Sequence, residues 1–238
     1  MFAKVVLLGA LIAGCHSVTF IIRNDEQGPI WVGIQGNAGR KSLADGGFAL
    51  STYQEVTVTA PDNWSGRFWA RTWCNEYTFH CETGDCGRTL KCDGNGGNPP
   101  ATLIEITLRG WKGQDYYDIS LIEGFNIKAS IEPVNGTGAQ GKYGCKKAAC
   151  NYYLNIECPS ELSLRGTVGF NIGCKSACLA FNTDQYCCRG AYSSPTTCKP
   201  NSWSQYFKLL CPDAYSYRND DPTSTFMCTA DTYRITFG

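Results

Sequence analysis

Residues 66–92 read Gly66-Arg-Phe-Trp-Ala-Arg-Thr-Trp-Cys74-Asn-Glu-Tyr-Thr-Phe-His80-Cys81-Glu-Thr-Gly-Asp85-Cys86-Gly-Arg-Thr-Leu-Lys-Cys92, and the stretch changes character halfway. Its first part, Arg67-Phe68-Trp69-Ala70-Arg71, is rich in aromatics and free of turn residues, which predicts a strand. The second part opens a tract, 74–101, with four cysteines among Gly, Asn and Pro. Such a tract cannot build a core of its own and reads as an excursion held by staples. Within it His80 reads as an ordinary loop residue, and Asp85, between Cys81 and Cys92, as a brace of the loop.

Working outward, more strands of the same kind appear. Thr19-Phe20-Ile21-Ile22-Arg23, Ile30-Trp31-Val32-Gly33-Ile34 and Glu55-Val56-Thr57-Val58-Thr59 precede it, and 102–108 and 115–121 follow, separated by Gly, Asn, Pro and Asp clusters. Short strands at this spacing predict an antiparallel sandwich or barrel, with Trp31 and Trp69 in its core. From Cys145 to Cys228 the remaining ten cysteines dominate and the pattern turns partly helical, over 176–186 and 202–210. The second helix is expected to open on the capping-box spacing Ser202-x-x-Gln205, to carry Trp203, Phe207 and Leu210 on one face, and to end at Pro212. The chain thus divides into a mainly β core (18–73, 102–144 and 212–238), a stapled loop region (74–101) and a cysteine-rich, partly helical subdomain (145–211).

Composition excludes several kinds of function. With 21 basic and 21 acidic residues and no basic run, the chain offers no field for nucleic acid or an anionic membrane. Residues 1–17, MFAKVVLLGALIAGCHS, carry one lysine ahead of a short apolar run and small residues, the pattern of a cleaved secretory signal. The run is about half the roughly 20 residues needed to span a bilayer, and no later segment is longer, so no transmembrane segment is expected. Without that leader the chain keeps fourteen cysteines and a single histidine, His80. An even count in an oxidising compartment implies full pairing, which leaves no thiol nucleophile or thiolate ligand. One histidine is too few for a typical zinc enzyme, and no Gly-x-Ser-x-Gly supports a serine triad. No metal and no organic cofactor are expected.

The segment from Gly66 to Cys74 and the run Cys81-Glu-Thr-Gly-Asp-Cys86-Gly-Arg-Thr-Leu-Lys-Cys92 resemble the signature of thaumatin-like proteins, the class 5 pathogenesis-related family. Asn98-Pro-Pro-Ala-Thr-Leu-Ile-Glu105, Tyr117-Asp-Ile-Ser-Leu-Ile-Glu-Gly-Phe-Asn126, Gln185-Tyr-Cys-Cys188 and Cys211-Pro-Asp-Ala-Tyr-Ser-Tyr217 are similar to further family blocks, in family order. The resemblance covers 18–238 and implies a thaumatin-like antiparallel β-sandwich. It also implies the pairs Cys74–Cys81, Cys86–Cys92, Cys145–Cys228, Cys150–Cys211, Cys158–Cys174, Cys178–Cys187 and Cys188–Cys198. The family usually carries one bridge more, joining a cysteine near Asp25 to one after Phe237; both are absent here, so a whole bridge is lost without leaving an orphan.

The resemblance further implies an acidic cleft lined by Arg67, Glu105, Asp118, Glu123 and Asp221, with Glu123 in place of the usual aspartate. Asp213 and Asp220 compete for the last position, and strand parity lets Arg71 join Arg67. Two jobs are open to these groups. In glycoside hydrolysis Glu105, in an apolar strand, is expected to be the acid, while Asp118 near an arginine stays ionised. In binding alone the carboxylates accept from sugar hydroxyls, and Tyr116, Tyr117, Phe125, Tyr215 or Tyr217 cover the sugar faces. The expected function is that of a secreted, extracellular, monomeric antifungal protein that binds β-1,3-glucan or another cell-wall polysaccharide. Slow endo-β-1,3-glucanase activity and a protein-binding or enzyme-inhibiting scaffold are the alternatives. Asn63-Trp-Ser65 and Asn135-Gly-Thr137 fit the glycosylation sequon.

Overall fold

The structure is a computed structural model that describes residues 16–238 apart from Ala139 and Val168. The expected leader lies outside the described residues except for His16 and Ser17, and Ser17 already opens the first strand, opposite Pro61. Fourteen strands follow in chain order: β1 Ser17–Asn24, β2 Ile30–Gly36, β3 Gly47–Leu50, β4 Glu55–Pro61, β5 Ser65–Asn75, β6 His80–Thr83, β7 Leu103–Thr107, β8 Asp115–Ser120, β9 Ala129–Pro133, β10 Ala148–Cys150, β11 Ser163–Arg165, β12 Asn171–Cys174, β13 Phe226–Cys228 and β14 Thr232–Phe237. Four short helices lie between β10 and β13: α1 Leu154–Glu157, α2 Ala177–Phe181, α3 Asp184–Cys187 and α4 Ser202–Leu210.

Two sheets make the core. One has the order β10-β9-β14-β1-β4, the other β13-β8-β7-β5-β2-β3 with β6 attached to β5. Strict alternation explains why they stack. Along β1 the buried side chains are Val18, Phe20, Ile22 and Asn24, and along β14 they are Tyr233, Ile235 and Phe237. All of these but Asn24 meet Phe68, Ile104, Ile106, Tyr117 and Ile119 of the second sheet in one apolar cluster. Phe20 packs on Phe68 with ring centroids 4.9 Å apart, and Tyr117 meets Tyr233 edge-on at 5.6 Å. Each such side chain, fully buried, contributes about 1.5–3 kcal/mol. The sheets are antiparallel but for one pair, since β1 and β14 run parallel. A parallel pair needs a long crossover, and here nearly the whole chain provides it.

Trp31 and Trp69 are core residues, but they lie on the far side of the second sheet, where the cysteine-rich excursion covers them. The Trp69 indole donates to the Gly84 carbonyl at 2.8 Å. Arg71 shares the face of Arg67 but, contrary to expectation, does not open to the cleft. It is fully buried, donates to the carbonyls of Thr89 (2.7 Å), Leu90 (2.6 Å) and Val32 (3.2 Å), and lies over the Trp31 ring. Burial lowers its pKa to about 10 against the smaller opposing pull of Asp85. Asp85 accepts from the backbone of Cys81, Gly87 and Arg88, which braces the loop. His80 opens strand β6 instead of lying in a loop, because Asn75 pairs with it directly.

The cysteines 74–81, 86–92, 145–228, 150–211, 158–174, 178–187 and 188–198 are bridged, all fourteen of the described residues. The helix expected over 176–186 is two helices. Asn182 takes the left-handed conformation (φ 49°) and stops α2, and Thr183 caps α3 through the Tyr186 amide. Asparagine tolerates that conformation better than most residues, which makes it a natural stop. Helix α4 spans 202–210, but its cap is Asn201 and not Ser202: Asn201 accepts from the amides of Trp203 and Ser204, and the Ser204 hydroxyl accepts from the Asn201 amide.

Candidate functional site

Strand register assembles a polar row on the face of the second sheet that points away from the core. Gln35 of β2 lies opposite Arg67 of β5, Arg67 opposite Glu105 of β7, and Glu105 opposite Asp118 of β8. Ile104, Ile106, Tyr117 and Ile119 alternate with these residues and point into the core, so the apolar face fixes which way the row points. Directly opposed residues have Cβ atoms about 4.5–5.5 Å apart, so neighbouring members of the row interact. Gln35 donates to the Gly94 carbonyl at 2.7 Å and ties the stapled loop to one end of the row. Sequence reasoning passed over Gln35; its position one residue beyond the apolar run of β2, in register with Arg67, was the available signal.

The electrostatics of the row are asymmetric. Arg67 Nη2 lies 3.4 Å from Glu105 Oε1, both side chains being about one-third exposed. Burial raises the Glu105 pKa; Arg67 opposes this and the charge of Glu123 adds to it. Asp118 is raised well above its ordinary value, first by burial, then by Glu105 and Asp221, with only a lesser pull from Arg67. Its Oδ1 is shielded from solvent without a hydrogen-bond partner, and so is Arg67 Nε. Asp118 is therefore pushed up further than Glu105: the arginine pairs with Glu105, and Asp118 sits where two carboxylates and burial oppose its charge.

The three aspartates that compete to complete the row have different surroundings. Asp220 is buried and spent on Ser216, Thr223 and Lys208. Asp213 lies 4.0 Å from Lys142. Asp221 accepts from the Tyr215 hydroxyl at 3.0 Å, and its charge reaches Asp118. Among the aromatics proposed as sugar platforms, Tyr117 and Phe125 are fully buried core residues and cannot serve. Tyr116, Tyr215 and Tyr217 keep partial exposure. No group of three or more His, Cys, Asp or Glu side chains suited to a metal ion occurs among the described residues.

Fold and site together define a disulfide-stapled β-sandwich that carries an acidic row on one outer sheet face. The chain belongs to the thaumatin family, whose profile matches residues 24–238. It is 50% identical over 221 residues to pathogenesis-related protein 5 of Arabidopsis thaliana, covering 92% of this chain and 89% of the relative. It is 41% identical over 229 residues to a glucan endo-1,3-beta-glucosidase of Prunus avium, covering 94% and 91%. Among solved structures, a thaumatin-like xylanase inhibitor aligns with a TM-score of 0.46 at 18% identity, over 92% of this chain and 97% of its own.

Proposed function

We propose that this thaumatin-like protein is an extracellular defence protein that grips β-1,3-glucan of fungal cell walls along the row Arg67–Glu105–Asp118, with Glu123 and Asp221 at its margins. The observation that carries the reading is the pair of unsatisfied polar atoms in the row, Asp118 Oδ1 and Arg67 Nε. A buried polar atom without a partner costs free energy until a ligand satisfies it, and sugar hydroxyls both donate and accept. Tyr215 and Tyr217 stand at the Asp221 end, where their rings would cover an apolar sugar face. Secretion through residues 1–17 and glycan attachment at Asn63 and Asn135 belong to the same reading; both asparagines are exposed. Among the described residues no helix is long and apolar enough to cross a membrane.

A second reading, slow endo-β-1,3-glucan hydrolysis, draws on the proton asymmetry. A protonated Asp118 would donate to the leaving oxygen, and Glu105, held beside Arg67, would act as base or nucleophile. The name of the Prunus avium relative favours it. The test is a pull-down on insoluble β-1,3-glucan run beside reducing-sugar release from linear β-1,3-glucan, with Glu105→Gln and Asp118→Asn. Retention without release, weakened in the double variant, supports the binding protein. Release abolished by either substitution makes the protein a glycosidase. Neither retention nor release refutes both readings and leaves the protein-binding or enzyme-inhibiting scaffold.

A further inference from the structure

We propose a second saccharide-binding site, in a cavity of about 450 Å³ at the far end of β5 whose walls include Glu26, Trp73, Asn126, Tyr153 and Asn155. Its volume falls within the roughly 300–1,000 Å³ typical of small-ligand sites. Trp73 and Arg67 lie six residues apart on one strand, about 20 Å at the usual rise, and the cavity shares no residue with the acidic row. The site therefore stands or falls apart from the glucan reading of that row.

Three features select the ligand. The first is two acceptors without donors. The Asn155 amide nitrogen is spent on the carbonyls of Asn126 (2.8 Å) and Ile172 (3.3 Å), which fixes the orientation of the side chain. Its Oδ1 is shielded from solvent and unpartnered, and Glu26 Oε1 is in the same state. A ligand that relieves both must bring at least two donors.

The second feature is an aromatic surface left open. Trp73 is 45% exposed and Tyr153 46%, although both are large rings that a fold normally buries. Trp73 has φ 58°, a conformation a bulky side chain rarely takes, and it is anchored by the adjacent bridge between Cys74 and Cys81. Phe170 supports it edge-on, with centroids 5.3 Å apart. A strained, exposed indole held in place by a staple and a second ring is a preformed platform.

The third feature is charge balance. Lys128 Nζ sits 4.1 Å over the Tyr153 ring, so a cation already occupies one aromatic face beside the cavity. That disfavours an organic cation and leaves a neutral ligand. A neutral ring with several hydroxyl donors and an apolar C–H face is a pyranose. A second cavity of about 360 Å³, lined by Ile156 and Phe170 among others, shares Asn155 and continues the surface for a further sugar unit.

The experiment is saturation-transfer NMR titration of the whole mature protein with linear β-1,3-glucotetraose and, separately, β-1,4-xylotetraose. Saturable binding of one of them is expected in the Glu105→Gln/Asp118→Asn double variant, where the acidic row is silenced, and the further substitutions are made in that background. Trp73→Ala should weaken it about tenfold and Trp73→Tyr restore most of it. Glu26→Ala should weaken it as well, and near-UV circular dichroism should show each variant folded. Absence of saturable binding by both sugars overturns the proposal, as does binding that survives Trp73→Ala and Glu26→Ala or that disappears only in the acidic-row variant. Saturable binding of tetramethylammonium, sensitive to Trp73→Ala, in place of the sugars overturns it too.

Discussion

At the scale of single residues, Asp118 is the group whose surroundings say most. Burial, with the charges of Glu105 and Asp221, raises its pKa against a lesser pull from Arg67. In an unfolded chain an aspartate titrates near pH ~3.9. Between that value and the higher folded value the native protein holds more protons than the unfolded one, so stability falls as pH rises. The penalty is absent below about pH 3.9 and complete above the folded value. Asp118→Asn, which mimics the protonated acid, should raise the melting temperature at neutral pH and leave it unchanged near pH ~3. Equal shifts at both pH values, read by circular dichroism melts, would contradict the assignment. The presence of Glu105 and Asp118 in the row was legible through the resemblance to the family's cleft residues, and strand register sets the two opposite each other. Which of the two is raised further was not, since that depends on which neighbour the Arg67 guanidinium meets across the sheet.

Among the elements, the stapled excursion shows how a sequence with no core of its own becomes rigid. The bridge between Cys86 and Cys92 closes the loop, but Arg71 presses it onto β5 through two of its carbonyls, those of Thr89 and Leu90. Arg71→Met keeps much of the packing and removes those donors, which leaves buried carbonyls unsatisfied. Each hydrogen bond to a charged group is worth about 1.5–3 kcal/mol, so a loss of roughly 3 kcal/mol or more is expected in urea unfolding, with faster proteolytic nicking within 86–92. A variant as stable and as protease-resistant as the parent would show that the disulfide alone holds the loop. The arginine was visible in the sequence and parity correctly puts Arg67 and Arg71 on one face; only the path of the loop decides that one is open and the other covered. The helical region follows a similar rule. The 202–210 segment was legible from its apolar spacing, whereas the break at Asn182 turned on a single residue entering the left-handed region.

Across the whole molecule, the bridges differ in the length of chain they close. Cys145–Cys228 spans 83 residues and Cys178–Cys187 spans 9. In the chain-entropy account the first contributes about 4–5 kcal/mol and the second about 2–3 kcal/mol. Denaturant unfolding of Cys145→Ala/Cys228→Ala beside Cys178→Ala/Cys187→Ala should show the first pair to be the costlier by nearly twofold; the reverse order would mean that local strain or residual structure outweighs loop closure. The ends of the chain, where the family usually places one more bridge, are held by backbone instead: β1 and β14 pair in parallel, and the Asp25 amide donates to the Phe237 carbonyl at 2.7 Å. By itself the sequence determined the strand-rich class, the paired cysteines and the identity of the acidic residues, because alternation, cysteine parity and motif spacing are local properties of the chain. Only the tertiary structure decided the parallel pairing of the two ends, the partner of Arg67, the burial of Arg71, Tyr117 and Phe125, and the open indole of Trp73. Each of these depends on which residues distant in sequence lie beside it, and strand register and loop path set that in three dimensions.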